Sequence, residues 1–349
     1  MTSAAALLGL VERATLAPSP HNVQPWHWTV GEESLELSLD PDRLLPVGDP
    51  AGREAVMACG AALLTFRVAA AHAHLGVEVD VLAADPAGPL ARVRLAPHAV
   101  DVEFASLDGT VPLRRTWRGP LRAEPVPAGL RTRLAAEAHV EGARLVEVPA
   151  TGRDAVARLV AAADTERGAS PRWRAEQARW VRAPWRRDGG RPRAAAAVLP
   201  ARLAVRYLDL GGYAGAQDAA LVRAAPLLAV LGTAGDDAAA WLAAGQALQR
   251  VLLVAEAHGL AAGFANSVCE DPVRREALRA LLGDGLHPQA VLRLGRRPGG
   301  PRVPGAVARR GDVRAALRRR LPVGEVAEVA EVAPVPPAQR KSTSPVSTS

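Results

Sequence analysis

The chain has 349 residues, 49% of them hydrophobic and 23% charged, a balance that excludes a wholly disordered or a collagen-like protein. At that length about 75% of the unfolded surface is buried on folding, and about two domains are expected. Lys plus Arg exceed Asp plus Glu by 43 to 36, for a net charge of +7 and a pI near 10.6, yet Lys341 is the only lysine and opposite charges interleave along the chain. A general use of Arg in place of Lys accounts for this better than a nucleic-acid surface. No helix-turn-helix, zinc or RNP signature is present, so no nucleic-acid partner is expected.

In chain order, residues 3–17 read as a helix, with Leu7, Leu8, Val11 and Ala14 at helical spacing, stopped by Pro18 and Pro20. This segment lacks a basic n-region and does not read as a signal peptide. Trp26 to Val30 and Leu35 to Leu39 read as a hairpin around Gly31, the second arm alternating. Ala51 to Leu75 reads as a long helix capped by Gly76, followed by strands at Val77 to Leu82 and Ala91 to Leu95. A second cycle follows: a helix over 127–137, a strand from Arg144 to Val148 and a helix from Asp154 to Ala163. Next come an apolar strand from Leu227 to Leu231 and a long helix from Ala238 to His258, closed by Gly259. A helix from Asp271 to Leu282, with Pro272 in its first turn, and a strand from Val291 to Leu294 end it.

The arginine-rich stretch 164–200 carries Trp173, Trp180 and Trp185, and reads either as an amphipathic helix on the core or as a lid over a planar ligand. From about Val323 the chain is rich in Pro, Ser and Thr, and 323–349 reads as a disordered tail. The two long helices resemble each other, Cys59-Gly60-Ala61-Ala62-Leu63 aligning with Ala244-Gly245-Gln246-Ala247-Leu248, which suggests two similar halves.

Several chemistries are missing. There is no P-loop, no G-x-G-x-x-G after a strand and no G-x-S-x-G elbow. Cys59 and Cys269, the only cysteines, make neither a disulfide framework nor a metal site, and a reducing cytoplasm fits them. His72 and His74 sit two apart on a helix and cannot share a face, so no metal is expected. The longest uncharged apolar runs, such as Ala55 to Phe66, fall short of a bilayer span, so no membrane partner is expected.

Two motifs carry information. In Ala17-Pro18-Ser19-Pro20-His21-Asn22-Val23-Gln24-Pro25-Trp26, prolines hold a loop extended. There Ser19, Asn22 and Gln24 offer donors and acceptors that a heteroaromatic ring edge can use. In Arg114-Arg115-Thr116-Trp117-Arg118, guanidinium forks beside a hydroxyl suit a phosphate monoester.

The first motif, P-S-x-x-N-x-Q-P-W after an N-terminal helix, resembles the flavin-ring loop of the nitroreductase family, in the Acg-type, single-chain form found in actinobacteria. The likeness continues through Asp49 to Glu54, Cys59 to Leu63, Trp241 to Leu248 and Pro288 to Gly295, over roughly residues 3–318. The Arg114 to Arg118 segment is similar to the family's R-x-S-x-R phosphate motif, with Thr116 for serine, and Arg309-Arg310 to its late basic pair.

The resemblance implies an α+β fold of two similar halves, each a mainly antiparallel sheet flanked by helices, packed as an intrachain pseudo-dimer. The implied division is 1–108, with the ring loop; 109–322, with the phosphate motif and the insert; and the tail. It also implies one FMN between the halves, with Ser19, Asn22 and Gln24 at the ring and Trp26 supporting the loop from the core. Arg114, Arg115, Thr116, Arg118, Arg309 and Arg310 would be at the phosphate. NAD(P)H would reduce the flavin, and a nitroaromatic or quinone acceptor would reoxidise it in the same pocket, with no catalytic side chain required because the flavin carries the chemistry. A monomer suffices to build the site, and a homodimer stays open. The alternative is a protein that holds FMN under a lid with little or no turnover. The family's Asn and Lys at the pyrimidine side have no clear match between Asp209 and Leu221, where Gln217 is a weak substitute, and Asn266-Ser267 stands where the family often has Glu-Gly.

Overall fold

The structure, a computed structural model, describes residues 4–31, 34–96, 101–180, 214–299 and 317–319. The expected tail, Arg309, Arg310 and residues 181–200 of the insert lie outside the described residues. Residues 1–319 belong to one compact unit.

The first half opens with helix α1 (Ala4–Ala14), strands β1 (Trp26–Val30) and β2 (Leu35–Leu39), helix α2 (Arg53–His72), and strands β3 (Gly76–Val81) and β4 (Pro89–Ala96). Short α3 (Val102–Ser106) leads to the second half: α4 (Ala128–Val140), β5 (Arg144–Glu147), α5 (Ala150–Ala169), α6 (Pro171–Trp180), α7 (Ala214–Arg223) and β6 (Leu227–Thr233). Then follow α8 (Ala238–Ala257), β7 (Leu260–Phe264), α9 (Ser267–Glu270), α10 (Pro272–Leu282), β8 (His287–Arg296) and β9 (Leu317–Arg319).

The halves share one topology. The first sheet runs β3-β4-β2-β1 and the second β7-β8-β6-β5, every one of these pairs antiparallel. In each, a long helix joins the second strand to the third. The first sheet gains β9, parallel to β1, so the end of the described chain returns to the opposite half. The halves differ most between their first two strands. A tight hairpin joins β1 to β2, whereas α5, α6 and α7 intervene between β5 and β6.

Burial explains the sequence patterns. Trp26, Trp28, Leu35 and Leu37 alternate because only one face of the β1-β2 hairpin packs on α2, where the Trp28 and Phe66 rings stack with centroids 5.3 Å apart. β6 reads as a continuous apolar run because both faces are covered. Leu227 and Leu231 join the core around α8, and Leu228 and Val230 the core around α5 and α7.

The halves meet along α2 and α8, which cross at paired glycines. A Cβ on Gly60 would lie 2.2 Å from the Leu242 carbonyl oxygen, and one on Gly245 would lie 2.0 Å from that of Met57. Each glycine therefore meets the carbonyl one turn before the other glycine, the reciprocal pattern of a two-fold contact. Both helices have 20 residues and are apolar enough to cross a membrane by length and composition, which corrects the expectation from uncharged runs. Counting only uncharged stretches cut α2 short at Arg67, yet a 20-residue helix tolerates such a charge. In the fold, 89% and 72% of their apolar windows lie inside the protein.

Gly76 is not the cap of α2; it opens β3. His74 takes the left-handed position, with φ 59°, and His74 N and Leu75 N donate to Ala71 O and Ala70 O. β7, α3, α7, α9 and β9 have no counterpart among the elements expected from the sequence, α6 falls within the stretch 164–200 that reads as an amphipathic helix or a lid, and α5 runs longer than expected at both ends.

Gly245→Ala is expected to cost roughly 2–3 kcal/mol or more, because its methyl meets backbone that cannot yield. Gly129→Ala in α4, where a Cβ meets nothing within 4 Å, is expected to be neutral or stabilising by up to about 1 kcal/mol. Urea unfolding of both variants checks this, and equal stabilities would contradict the crossing.

Candidate functional site

The loop between α1 and β1 is held in an unusual shape. His21, Asn22 and Gln24 take positive φ of 47°, 59° and 56°, a conformation that costs free energy at non-glycine residues. Local bonds hold it. Gln24 N donates to Ser19 Oγ at 3.0 Å, Asn22 N to Ser19 O at 3.1 Å, and Arg43 Nη1 to Val23 O at 2.9 Å. From outside, α6 braces it. The Gln177 amide nitrogen lies 2.7 Å from His21 Nε2, and Trp180 packs with Val23 and Leu45. The Glu176 carboxylate accepts from Val47 N at 2.9 Å and Gly48 N at 2.7 Å.

The arginine motif lies against the edge of the second sheet. Thr116 bridges in parallel to Ala262, and Trp117 N donates to Ala262 O at 2.8 Å. Gly263 permits this approach, since a Cβ there would come within 2.4 Å of Trp117 O and 2.5 Å of Arg293 Nη2. Arg293, on β8, is 4% exposed and reaches Trp117 O and Gly119 O only through long 3.4 Å bonds. Burial pulls its guanidinium below the usual arginine range. Arg114 is buried too, its Nε without a hydrogen-bond partner among the described residues, and burial, then Arg115, pull it down to about 10. Such a pair of desolvated cations can accept an anion.

Between loop and motif lies a cavity of about 970 Å³, counted to its open mouth. Met57, Ala58 and Ala61 of α2, with Leu248 of α8 and Phe264 of β7, form an apolar floor drawn from both halves. Pro18 to His21 form one wall, and Thr116, Arg118 and Arg293 the cationic end. Glu54, Asp218, Asn266 and Glu270 bring polar and acidic groups. Arg167 pairs with Glu270, and Asn266 Oδ1 accepts from Val291 N at 2.9 Å.

Of the residues expected from the sequence, Ser19, Thr116 and Arg118 line the cavity. Arg114 lies buried and outside the lining, and Arg115 donates to the Arg114 carbonyl at 2.6 Å. Asn22 and Gln24 are not among the lining residues; Gln24 is buried and its amide reaches Asn22 O at 3.4 Å. Trp26 is in the first core, as expected. The side chain of Gln217 lies outside the described residues. The described part of the insert braces the ring loop, and no residue of α6 lines the cavity. Sequence reasoning missed Glu54, Asp218, Glu270 and Arg293. A charge lodged in an apolar strand, as in Val291-Leu292-Arg293-Leu294, was the available signal.

No model of a known protein family matches the chain. Among curated proteins it is 34% identical over 295 residues to "Putative NAD(P)H nitroreductase Rv3131" of Mycobacterium tuberculosis, covering 82% of this chain and 83% of the relative. It is 29% identical over 333 residues to "Putative NAD(P)H nitroreductase acg" of the same species, covering 86% and 92%. A solved structure, the FMN-dependent nitroreductase NfnB from Mycobacterium smegmatis in complex with NADPH, matches at 18% identity and a TM-score of 0.40, covering 58% of this chain and 95% of that one.

Asp49 accepts from Ala55 N at 2.9 Å at the start of α2, and burial, then Glu54, push its carboxyl up to about 6. A carboxyl raised in the fold binds its proton more tightly there than in the unfolded chain. Its ionisation therefore lowers stability as pH rises from about 4 to 6, with no further change above. Asp49→Asn keeps the acceptor and removes the charge. The variant is expected to gain on the order of 2 kcal/mol over the native chain between pH 4 and 7, read by urea unfolding. A difference independent of pH would contradict this.

Proposed function

This chain belongs to the nitroreductase family, and from that premise we propose that it is an FMN-dependent oxidoreductase that takes electrons from NAD(P)H and passes them to a small nitroaromatic or quinone. The observation that carries the reading is a pair of buried arginines, Arg293 at one end of an apolar cavity lined by both halves and Arg114 outside its lining, with the Arg114 Nε lacking a hydrogen-bond partner among the described residues. The residues fit the cofactor. Arg118, Arg293 and the Thr116 hydroxyl would hold the phosphate, Arg114 would add charge from behind, and Arg309 and Arg310 complete the expected set. Ser19 and the backbone of its loop would border the ring, with Asn22 and Gln24 fixing the loop's shape. FMN, when bound, supplies the hydride-accepting and hydride-donating ring. The protein binds it, orients it and keeps water from the apolar floor, and no nucleophile is required.

In this reading the chain is a pseudo-dimer, 1–108 against 109–322, with one site. The reciprocal glycine contact supports it, because it pairs Ala61 in the cavity floor with Gln246 on the other helix. At that position Gln246 Oε1 accepts from Arg67 at 2.8 Å, and Arg67 also pairs with Glu141 at 2.6 Å, filling the space a second cofactor would need. One chain thus suffices for the site. Both cysteines are free and buried, which fits a reducing cytoplasm.

The second reading, a protein that holds FMN with little turnover, draws on α6, which fastens the insert to the ring loop through Gln177, Glu176 and Trp180. One experiment separates the two. Anaerobic NADPH is expected to bleach the yellow band of the purified protein, whereas a band that persists favours the holding protein. Arg118→Ala is expected to bind FMN about tenfold to hundredfold more weakly with the fold intact, the loss of charged hydrogen bonds. Unchanged flavin content in that variant would contradict the phosphate site.

A further inference from the structure

Glu54, near the start of α2, lines the cavity yet is 8% exposed. Its Oε1 meets Arg53 Nη2 at 3.5 Å and Asn266 Nδ2 at 3.4 Å, both long, and no hydrogen bond to Oε2 is found among the described residues. Neither neighbour is free to move closer. Arg53 Nη1 donates to Gln289 O at 2.8 Å and Nη2 to Cys269 O at 3.2 Å, while Asn266 is fixed by Val291 N. Of the other cavity carboxylates, Glu270 pairs with Arg167. In the register set by Gly60 and Gly245, the position of Glu54 on α8 is Ala239, so the acid is particular to this cavity. A buried carboxylate short of partners calls for a donor from a ligand.

We propose that Glu54 selects the electron acceptor, favouring small aromatic compounds that carry a cationic or N–H donor group and rejecting those that carry a carboxylate. This rests on the FMN reading, since a phosphate held by Arg118 and Arg293 leaves Glu54, with its one long ion pair to Arg53, as a carboxylate of the cavity still able to take a donor from a second ligand. Like charge in a desolvated site is strongly unfavourable, and a charged hydrogen bond is the strong kind.

The test uses the FMN-loaded full chain with benzamidine and benzoate as non-reducible probes, their dissociation constants read from perturbation of the flavin absorbance. The native protein is expected to bind benzamidine at least about tenfold more tightly than benzoate. In Glu54→Gln the ratio is expected to fall to within about threefold, and in Glu54→Asp the preference for benzamidine is expected to persist. The ratio of kcat/KM for 4-nitrobenzylamine over 4-nitrobenzoate is expected to move in parallel. Flavin content and melting temperature verify that each variant is folded and loaded. A ratio unchanged in Glu54→Gln, or a native preference for benzoate, overturns the role of Glu54 and leaves the FMN reading standing. A colourless protein that takes up no added FMN overturns both.

Discussion

Two backbones touch where α2 crosses α8, and most of the molecule follows from that contact. Gly60 and Gly245 let each helix approach the other's carbonyls to a distance that any side chain would block. Close approach brings the two sheets onto opposite sides of one helix pair, so a single core runs from Met57, Leu64 and Val68 of the first half into Val251, Leu260 and Leu292 of the second. It also fixes the floor of the cavity, because Met57, Ala58 and Ala61 lie within a turn of Gly60 and Leu248 within a turn of Gly245. The halves therefore cannot be pulled apart without dismantling the site.

Around that floor the chain has distributed its charges unequally. The cationic end is built from Arg118 and Arg293, with Arg114 behind, all close to the edge of the second sheet that Gly263 leaves open. The acidic side is built from Glu54, with Asp49 near it. Each cluster carries a desolvation cost that its neighbours, Arg53 beside Glu54 and the carbonyls of Trp117 and Gly119 beside Arg293, offset only through long contacts. Around Gln246, the counterpart of Ala61 in the glycine register, Arg67 reaches Gln246 and Glu141, and Arg250 pairs with Glu141 and Glu137. Arg67 and Arg250 also lie over the Phe104 ring, 5.5 and 4.9 Å from its centroid. An internally satisfied network leaves no demand for a ligand, which is the physical difference between the two sides.

Much of the fold was legible because burial writes itself into pattern. The β1-β2 hairpin matches its expected bounds, since one-sided burial forces the alternation of Trp26, Trp28, Leu35 and Leu37. β6 was legible as an apolar run because it is covered on both faces. β7 was not, since Leu260-Ala261-Ala262-Gly263-Phe264 carries little strand propensity and is a strand through its pairing with β8, with Gly263 leaving room for Trp117 and Arg293. α6 was legible only as one of two alternatives, because its arginines leave just Gln177 and Trp180 buried. At the site, residue type sufficed for the proline-bounded loop and the arginine cluster. Glu54 and Arg293 were not recognised, because a lone charge in an apolar element acquires meaning only when the fold brings a cavity to it. Asn22 and Gln24 match the expected motif, and they sit at positive φ values that no sequence pattern reveals.

The central claim is that one chain, by crossing its two halves, builds a single FMN site without a partner. Native mass spectrometry of the purified protein tests it most directly. A single chain carrying one FMN is the predicted species. Two FMN per chain, or FMN present only in a dimer, would contradict it.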